Sequence, residues 1–318
     1  MRVIFMGTPD FAVPSLDRLL SSQHEVAAVV SQPDRPSGRG QQVHPTPVKT
    51  RALEAGIPVL QPGNIRTADF EQLLREFQPD VHAVAAYGKI LPENILYLPR
   101  FGSINVHASL LPRYRGAAPI QWAIINGERK TGITIMQMEK GLDSGPIIDQ
   151  QEIDILDDDD SLSLSNMLSI IGAEKLVQIL DKIESTGQID STPQNHSQAT
   201  LAPLIKKEDG HINWNSEAEA IICRIIALKP WPCGYALYKD EPYKIRKAIS
   251  FYPEVASVYL NDDQDPGEVI ALQADQGPIV RTRQSCICLT EIQPPNRKSM
   301  SGRDAINGGY IKLGMRFE

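Results

Sequence analysis

The sequence has no apolar run long enough to cross a bilayer. A membrane-spanning helix needs about 20 consecutive apolar residues, and no stretch of the 318 residues approaches that length. The N-terminal residues lead directly into a predicted strand, without the apolar segment of a signal peptide. We therefore expect a cytoplasmic protein.

The sequence also has little cysteine. The 4 cysteines all lie in the last third of the chain, and none belongs to a Cys-x-x-Cys pair. Cys286 and Cys288 share one face of a predicted strand, which is typical of buried free thiols. We expect neither a structural disulfide nor a zinc site.

Positive charge is in deficit overall, with a net charge of −7, but the deficit is confined to one part of the chain. From Leu204 onward there are 15 Lys and Arg against 15 Asp and Glu, so the acidic excess belongs to residues 1–203. A neutral C-terminal part can still present a basic face. The composition therefore permits nucleic-acid binding there without establishing it.

The first half of the chain alternates short apolar runs with helical patterns. This alternation predicts an α/β fold with a doubly wound, mostly parallel sheet of the Rossmann-like type. Ligands in such sheets bind beyond the carboxyl ends of the strands, where Gly7, Tyr87 and His107 are expected. We predict strands over residues 3–6, 25–30, 81–86, 103–107, 133–138 and 147–152, and helices over 14–21, 47–55, 69–77, 117–127 and 162–185.

A polar segment separates this half from a second pattern. Residues 187–203 are rich in Gln, Ser, Thr and Pro and have no apolar periodicity, which is typical of a linker. A helix over 216–227 and five short strands then predict a small β-barrel. We predict three parts: a first domain over 1–188, a linker over 189–206 and a second domain over 207–318. The barrel strands are predicted over 234–238, 243–250, 267–272, 277–282 and 287–293.

Asn105 and His107 are the most informative residues. On a strand, two residues spaced by two project from the same face, so the amide and the imidazole are neighbours. Asp143 lies between two glycines after the next apolar strand, in a loop that can approach another strand end. A buried Asn and His that satisfy one another are the simpler interpretation. The irregular, proline-bracketed loop after His107 favours a functional site instead.

Two other enzyme classes fit poorly. The first strand is followed by a single glycine, Gly7, where a dinucleotide-binding turn has three. A hydrolase triad of Ser109, His107 and Asp143 is conceivable, but no Gly-x-Ser-x-Gly turn is present to expose a nucleophile.

Taken together, the motifs resemble the methionyl-tRNA formyltransferase family. The resemblance covers nearly the whole chain, and part of it is shared with all enzymes that take a formyl group from 10-formyltetrahydrofolate. It is carried by residues 3–14, 32–40, 87–92, 229–232 and the block 105–119 with Asp143.

The resemblance implies a role for each residue of the central block. Asn105 and His107 would donate hydrogen bonds to an oxyanion, and Asp143 would orient His107 and act as a base. The co-substrate would be 10-formyltetrahydrofolate, and no metal is expected. The implied folate-binding residues are Ser109, Leu110, Leu111, Pro112, Tyr87, Gly88, Ile90 and Leu91.

The acceptor is indicated by other parts of the chain. The resemblance associates residues 32–49 and the C-terminal barrel, which it likens to an oligonucleotide-binding (OB) fold, with initiator methionyl-tRNA. Arg39, Lys49, Lys206 and Lys207 are the expected tRNA contacts, and a monomer is expected. Two alternatives stay open: a formyltransferase that acts on a small amine such as a sugar nucleotide, and a folate-dependent RNA-binding protein without turnover.

Overall fold

The computed structural model describes residues 1–37, 42–251, 259–261 and 263–318. They divide into two compact units. The first contains Met1–Pro119, Lys130–Asp154 and Leu164–Pro203, and the second contains Ile120–Arg129, Ile155–Ser163 and Leu204–Glu318. The predicted boundaries at 188 and 206 stay a prediction, and residues 189–203 belong to the first unit.

The first unit contains eleven of the described strands. They are β1 Arg2–Gly7, β2 Glu25–Val30, β3 Arg35–Ser37, β4 Gln42–His44, β5 Val59–Leu60, β6 Val81–Ala85, β7 Ser103–His107, β8 Arg115–Gly116, β9 Lys130–Gln137, β10 Ile147–Asp154 and β11 Leu201–Ala202. The helices of the chain up to residue 203 are α1 Val13–Leu20, α2 Pro47–Glu54, α3 Ala68–Glu76, α4 Glu93–Leu96, α5 Pro119–Ile125 and α6 Ser161–Thr186.

Seven of these strands form one sheet, in the order β10-β9-β7-β6-β1-β2-β5. The strands from β7 to β5 are parallel, whereas β9 runs antiparallel to both of its neighbours, β7 and β10. Every residue of β6 and β7 is buried, as expected for central parallel strands that helices cover on both faces. The predicted mostly parallel sheet is thus confirmed.

Local sequence explains where the helices of this sheet begin. Thr46 caps α2 by accepting a hydrogen bond from the Lys49 amide, and Pro47 occupies the first helical position. Thr67 caps α3 in the same way. The predicted helix bounds agree with the structure within one or two residues at most ends, which is the normal uncertainty of helix termini.

The second unit contains a closed antiparallel sheet. Its strands are β12 Gly234–Tyr238, β13 Glu241–Ser250, β14 Val269–Gln273, β15 Gly277–Arg281, β16 Cys286–Gln293 and β17 Met300–Ser301, with helices α7 Ala218–Ala227 and α8 Gly302–Asn307. The strand order is β12-β13-β16-β15-β14, and β17 pairs with β16. The last residues join the two edges, because Glu318 exchanges backbone hydrogen bonds with Leu237 of β12 while Phe317 bonds Gly267, next to β14.

The barrel interior is apolar and holds its own core. Trp214 stacks on Phe317 with ring centroids 5.9 Å apart, and α7 contributes Ile221 and Ile225. The predicted small β-barrel is therefore confirmed. All 4 cysteines are free. Burial raises the pKa of Cys286 and of Cys288 to about 11, which makes both thiols poor nucleophiles.

Within the described part of the chain, we find no helix that combines the length and the apolar character needed to span a membrane.

Candidate active site

The polar residues at the carboxyl end of β7 are buried. Asn105 is 9% exposed and His107 is 5% exposed. The two lie on one face of β7, between Val84 of β6 and Met136 of β9 at the level of Asn105. The Asn105 carboxamide forms no hydrogen bond with any described residue. Because neither polar atom of this carboxamide is both fully buried and unpartnered, the group contacts solvent, and its two N–H donors are available to a ligand.

The imidazole of His107 is held from one side. Its Nε2 lies 3.0 Å from the carbonyl oxygen of Tyr114. A carbonyl only accepts, so Nε2 carries a proton and donates it. In the neutral ring the other nitrogen, Nδ1, therefore presents a lone pair.

Asp143 faces that lone pair. Its Oδ2 lies 3.7 Å from Nδ1 of His107 and accepts a hydrogen bond of 2.8 Å from the Gly116 amide. A carboxylate and a lone pair repel one another, whereas a carboxylate and an imidazolium attract. The pair is therefore arranged to receive an N–H or O–H group of a ligand bound beside Nδ1 and Oδ2.

The backbone around Asp143 takes an unusual course. Asp143 has φ of 45°, in the left-handed region that few residues other than glycine adopt. Gly145 follows so closely against β9 that a Cβ there would lie 1.9 Å from the Gln137 carbonyl oxygen. Strained backbone positions persist only where the surrounding structure holds them in place, and they cluster at functional sites.

Gly116, which supplies the amide to Asp143, is equally constrained. Its φ is 126°, and a Cβ would lie 2.6 Å from the Ala202 carbonyl oxygen. This close approach arises because β8 pairs with β11, Arg115 with Leu201 and Gly116 with Ala202. Glycine is thus required where the loop after His107 meets the chain after α6.

The segment Ser109, Leu110, Leu111 and Pro112, predicted as a folate wall, is fixed to the antiparallel end of the sheet. Thr134 of β9 donates its hydroxyl to the Ser109 carbonyl at 2.7 Å and accepts the Leu111 amide at 3.1 Å. Gln150 of β10 donates to the Leu111 carbonyl at 2.9 Å. The segment therefore lies beside the end of β7 in a defined conformation. Its contact with folate stays a prediction.

The second predicted folate segment follows β6. Tyr87 and Leu91 are 2% and 3% exposed and pack in the core, whereas Gly88 and the 69% exposed Ile90 are accessible. Burial raises the pKa of Tyr87 to about 12, and its hydroxyl has no partner among the described residues. In this segment a ligand can therefore reach Gly88 and Ile90 without rearrangement.

The predicted tRNA contacts differ in their surroundings. Arg39 lies outside the described residues. Lys49 is paired with Asp34 at 2.5 Å, and Gln61 donates to the other oxygen of Asp34 at 2.7 Å. Both hydrogen bonds lower the pKa of Asp34, and the bond from Lys49 has the larger effect. Lys49 therefore already balances a carboxylate at the base of the hairpin formed by β3 and β4.

Lys206 and Lys207 belong to the second unit. Both are exposed, and in the described part of the chain neither forms an ion pair. Their ammonium groups are therefore available to an anionic partner. All four tRNA contacts stay predictions.

Gln194 and Arg115 contribute to the site although nothing in the sequence pattern indicated them. Gln194 belongs to the polar segment predicted as a linker, yet it is 6% exposed and is hydrogen-bonded to the Asp143 loop. No local pattern distinguishes it from its exposed neighbours. Arg115 lies in the motif that carries the resemblance, but its partners come from distant sequence.

A cluster with metal-ligand chemistry lies at the opposite, amino-terminal edge of the strands. Ligand atoms of His24, Asp181 and Glu184 lie within 4.8 Å of one another. The Met1 ammonium contacts this cluster, donating to Glu184 at 2.5 Å and lying 3.3 Å from Nδ1 of His24. A cation thus already balances the Glu184 carboxylate.

Comparisons with known proteins identify the family of the chain. The formyl transferase family model matches residues 1–180, and the model of the formyl transferase C-terminal domain matches residues 204–309. The methionyl-tRNA formyltransferase of Sulfurihydrogenibium sp. is 47% identical over 319 residues, which covers 100% of both chains. That of Caldanaerobacter subterraneus is 47% identical over 315 residues, 99% of each chain.

Solved structures share the fold at low sequence identity. An N-formyltransferase from Helicobacter canadensis, in complex with folinic acid and dTDP-3-aminofucose, superposes with a TM-score of 0.64 at 18% identity, over 90% of this chain and 98% of that one. HypX from Aquifex aeolicus, in complex with tetrahydrofolic acid, gives 0.60 at 14% identity, over 98% of this chain and 48% of that one. The full-length matches at 47% identity decide the assignment: this chain belongs to the methionyl-tRNA formyltransferase family of formyl transferases.

Proposed function

We propose that this chain transfers the formyl group from N10 of 10-formyltetrahydrofolate to the free α-amino group of initiator methionyl-tRNA. The observation that carries the proposal is the arrangement at the end of β7. The amide of Asn105, which has no hydrogen-bond partner among the described residues, lies on the same face as His107, and Nδ1 of His107 faces the Asp143 carboxylate. This combination serves an acyl transfer in which an amine loses a proton and an oxyanion forms.

The reaction needs no covalent enzyme intermediate. The uncharged α-amine attacks the formyl carbon, a C–N bond forms, and the carbonyl oxygen becomes an oxyanion. Asn105 Nδ2–H donates to that oxygen. The expected second donation, from His107, is not part of the proposal, because its Nε2–H is held by the Tyr114 carbonyl and its Nδ1 faces Asp143. One such donor typically contributes roughly 3 to 4 kcal/mol to the stability of the transition state.

Proton movement is the task of His107 and Asp143. The attacking nitrogen carries an N–H that fits between Nδ1 of His107 and Oδ2 of Asp143, and this pair takes the proton as the new bond forms. The bond from the formyl carbon to N10 then breaks, and His107 returns a proton to N10. His107 Nε2–H stays on the Tyr114 carbonyl throughout, so the ring keeps its orientation.

The rest of the proposal concerns how folate and tRNA bind, whether a metal is required, and the location and oligomeric state of the enzyme. The accessible Gly88 and Ile90, with Ser109 to Pro112, would form the walls of the folate pocket. Lys206 and Lys207 would contact tRNA phosphates. We further propose that the enzyme requires no metal and acts as a cytoplasmic monomer, which gel filtration and fractionation would test.

The proposal is tested by assaying purified protein with 10-formyltetrahydrofolate and, separately, charged initiator tRNA, charged elongator tRNA and a nucleotide-linked amino sugar. Formylmethionine should form on initiator tRNA and much less on the other acceptors. Preferred formylation of the amino sugar would support the competing acceptor. Folate and RNA binding without product in any arm would support the non-enzymatic alternative and refute the proposal.

A further inference from the structure

Gln194 uses every hydrogen-bonding position of its carboxamide. Its Nε2 donates to the carbonyl oxygens of Asp143 at 2.8 Å and Gly145 at 2.7 Å. Its Oε1 accepts from Nη2 of Arg115 at 2.6 Å and from Nε at 3.2 Å. The amide cannot be flipped, because the reversed group would oppose donors to donors and acceptors to acceptors. Gln194 therefore holds the Asp143 loop to Arg115 in one orientation.

The other end of this connection is also buried. Arg115 is 9% exposed, and its Nη2 lies 3.0 Å from Nδ1 of His196. The next residue, Gly116, donates its amide to the Asp143 carboxylate. Arg115 and Gly116 thus act on the same residue, one through Gln194 on the Asp143 backbone and one directly on its carboxylate.

We propose that Gln194 and Arg115 are positioning residues for Asp143. Asp143 adopts a left-handed backbone conformation that is unfavourable for a non-glycine residue. Gln194 binds the carbonyl oxygens of Asp143 and Gly145 and so holds the turn between them. Without that support the loop relaxes, and the distance from Oδ2 to Nδ1 of His107 is no longer fixed. The inference rests on the proposed function, since it assigns to these residues the geometry of that reaction.

The predicted consequence is a loss of turnover without a loss of binding. A displacement of about 1 Å at a catalytic group can cost on the order of 10²-fold in rate. Gln194→Ala is therefore expected to lower kcat by about 10- to 100-fold, with the KM values for folate and tRNA changed less than about twofold. Because the Asp143 carboxylate is displaced, the pH profile of kcat should also change shape.

Two further variants separate the bonds that Gln194 makes to the Asp143 loop from those that it makes to Arg115. Gln194→Glu keeps acceptors for Arg115 but places a carboxylate oxygen against two carbonyls, so it should be as defective as Gln194→Ala. Arg115→Lys preserves one donor to Oε1 and should retain more activity. Gln198→Ala is the matched control, because Gln198 is exposed in the same segment.

A readout independent of activity distinguishes this proposal from the proposed function. Exchange of the Gly116 amide proton reports whether the Asp143 carboxylate still accepts it. In Gln194→Ala this exchange should accelerate at least about tenfold, and in Gln198→Ala it should not. If Gln194→Ala does not fold, Gln194→Met, with a similar length, carries the same expectation.

The inference is overturned if Gly116 exchange is unchanged in the folded variant, or if kcat and the pH profile match the wild type. It is also overturned if activity falls only in proportion to the folded fraction. An inactive wild type would refute the proposed function and leave the exchange measurement to decide the positioning role.

Discussion

Asp143→Asn isolates the charge of the proposed base from its structural role. Asparagine is one of the few residues that tolerate the left-handed conformation observed here, with φ of 45°. Its side-chain oxygen can still accept the Gly116 amide. The substitution therefore removes the negative charge opposite His107 and leaves the loop supported, whereas Asp143→Ala would remove the hydrogen bond as well.

The distance between the two groups sets the size of the effect. A carboxylate and an imidazolium 3.7 Å apart attract one another by about 4 kcal/mol at an effective dielectric constant of about 20. If the imidazolium forms in the transition state, losing that attraction slows turnover by about 10³-fold. This value falls within the roughly 10²- to 10⁴-fold range of general acid–base catalysis.

The assay is single-turnover formation of formylmethionyl-tRNA with both substrates saturating, accompanied by thermal unfolding. Asp143→Asn should lose about 10³-fold in rate with a melting temperature within a few degrees of the wild type. A rate within about tenfold of the wild type, in a folded variant, would refute the assignment of Asp143 as the base. Gln198→Ala serves as the control for handling and stability.

Three other predictions follow from particular contacts. Asn105→Ala should lower kcat by about 10²- to 10³-fold yet leave the free energy of unfolding nearly unchanged, because the Asn105 amide stabilises no described residue; a large loss of stability would contradict this. Replacing Lys206 and Lys207 together by alanine should raise KM for tRNA and flatten its salt dependence, with kcat preserved; an unchanged KM would exclude both as phosphate contacts. Burial lowers the pKa of His82 from 6.5 to about 3. As the pH falls, the unfolded chain therefore binds a proton at His82 before the folded chain does. The stability that is present above pH 6.5 is lost between pH 6.5 and pH 3, and the free energy of unfolding is lower by about 2 kcal/mol at pH 5. Chemical denaturation should show a smaller loss between pH 7 and pH 5 in His82→Leu, and equal losses would refute the assignment.

The elements that sequence predicted correctly are those with strong periodicity. The apolar runs of β1, β2, β6 and β7 are nearly continuous, which is typical of parallel strands that are buried on both faces, so pattern and fold agree. The barrel strands followed from their spacing and their turns. Elements of two or three residues, such as β5 and the β3–β4 hairpin, were not predicted, because so few residues give no periodic signal.

The residues of the candidate site were predictable only where local sequence determines their position. Asn105 and His107 share a face by strand geometry alone, and the glycines around Asp143 indicated a loop that approaches closely. The protonated nitrogen of His107 could not be predicted, because it depends on the Tyr114 carbonyl, seven residues away across an irregular loop. Nor could the pairing of Lys49 with Asp34, because the two residues lie fifteen positions apart and no periodic pattern relates them.

The segment after α6 has the composition of a linker, yet it holds residues of the candidate site in place. Tyr114, whose carbonyl orients His107, is itself fixed because its amide donates to Thr200 Oγ1 at 2.9 Å. Gly116 is fixed by the pairing of β8 with β11, and Asp143 by Gln194. His107 and Asp143 are thus each oriented by a backbone group whose position depends on residues 194–202. Those residues are polar and mostly exposed, as a linker would be, because their task is to satisfy buried backbone groups rather than to fill a core. An insertion within this segment should therefore impair turnover before it impairs folding of the sheet, which does not depend on it.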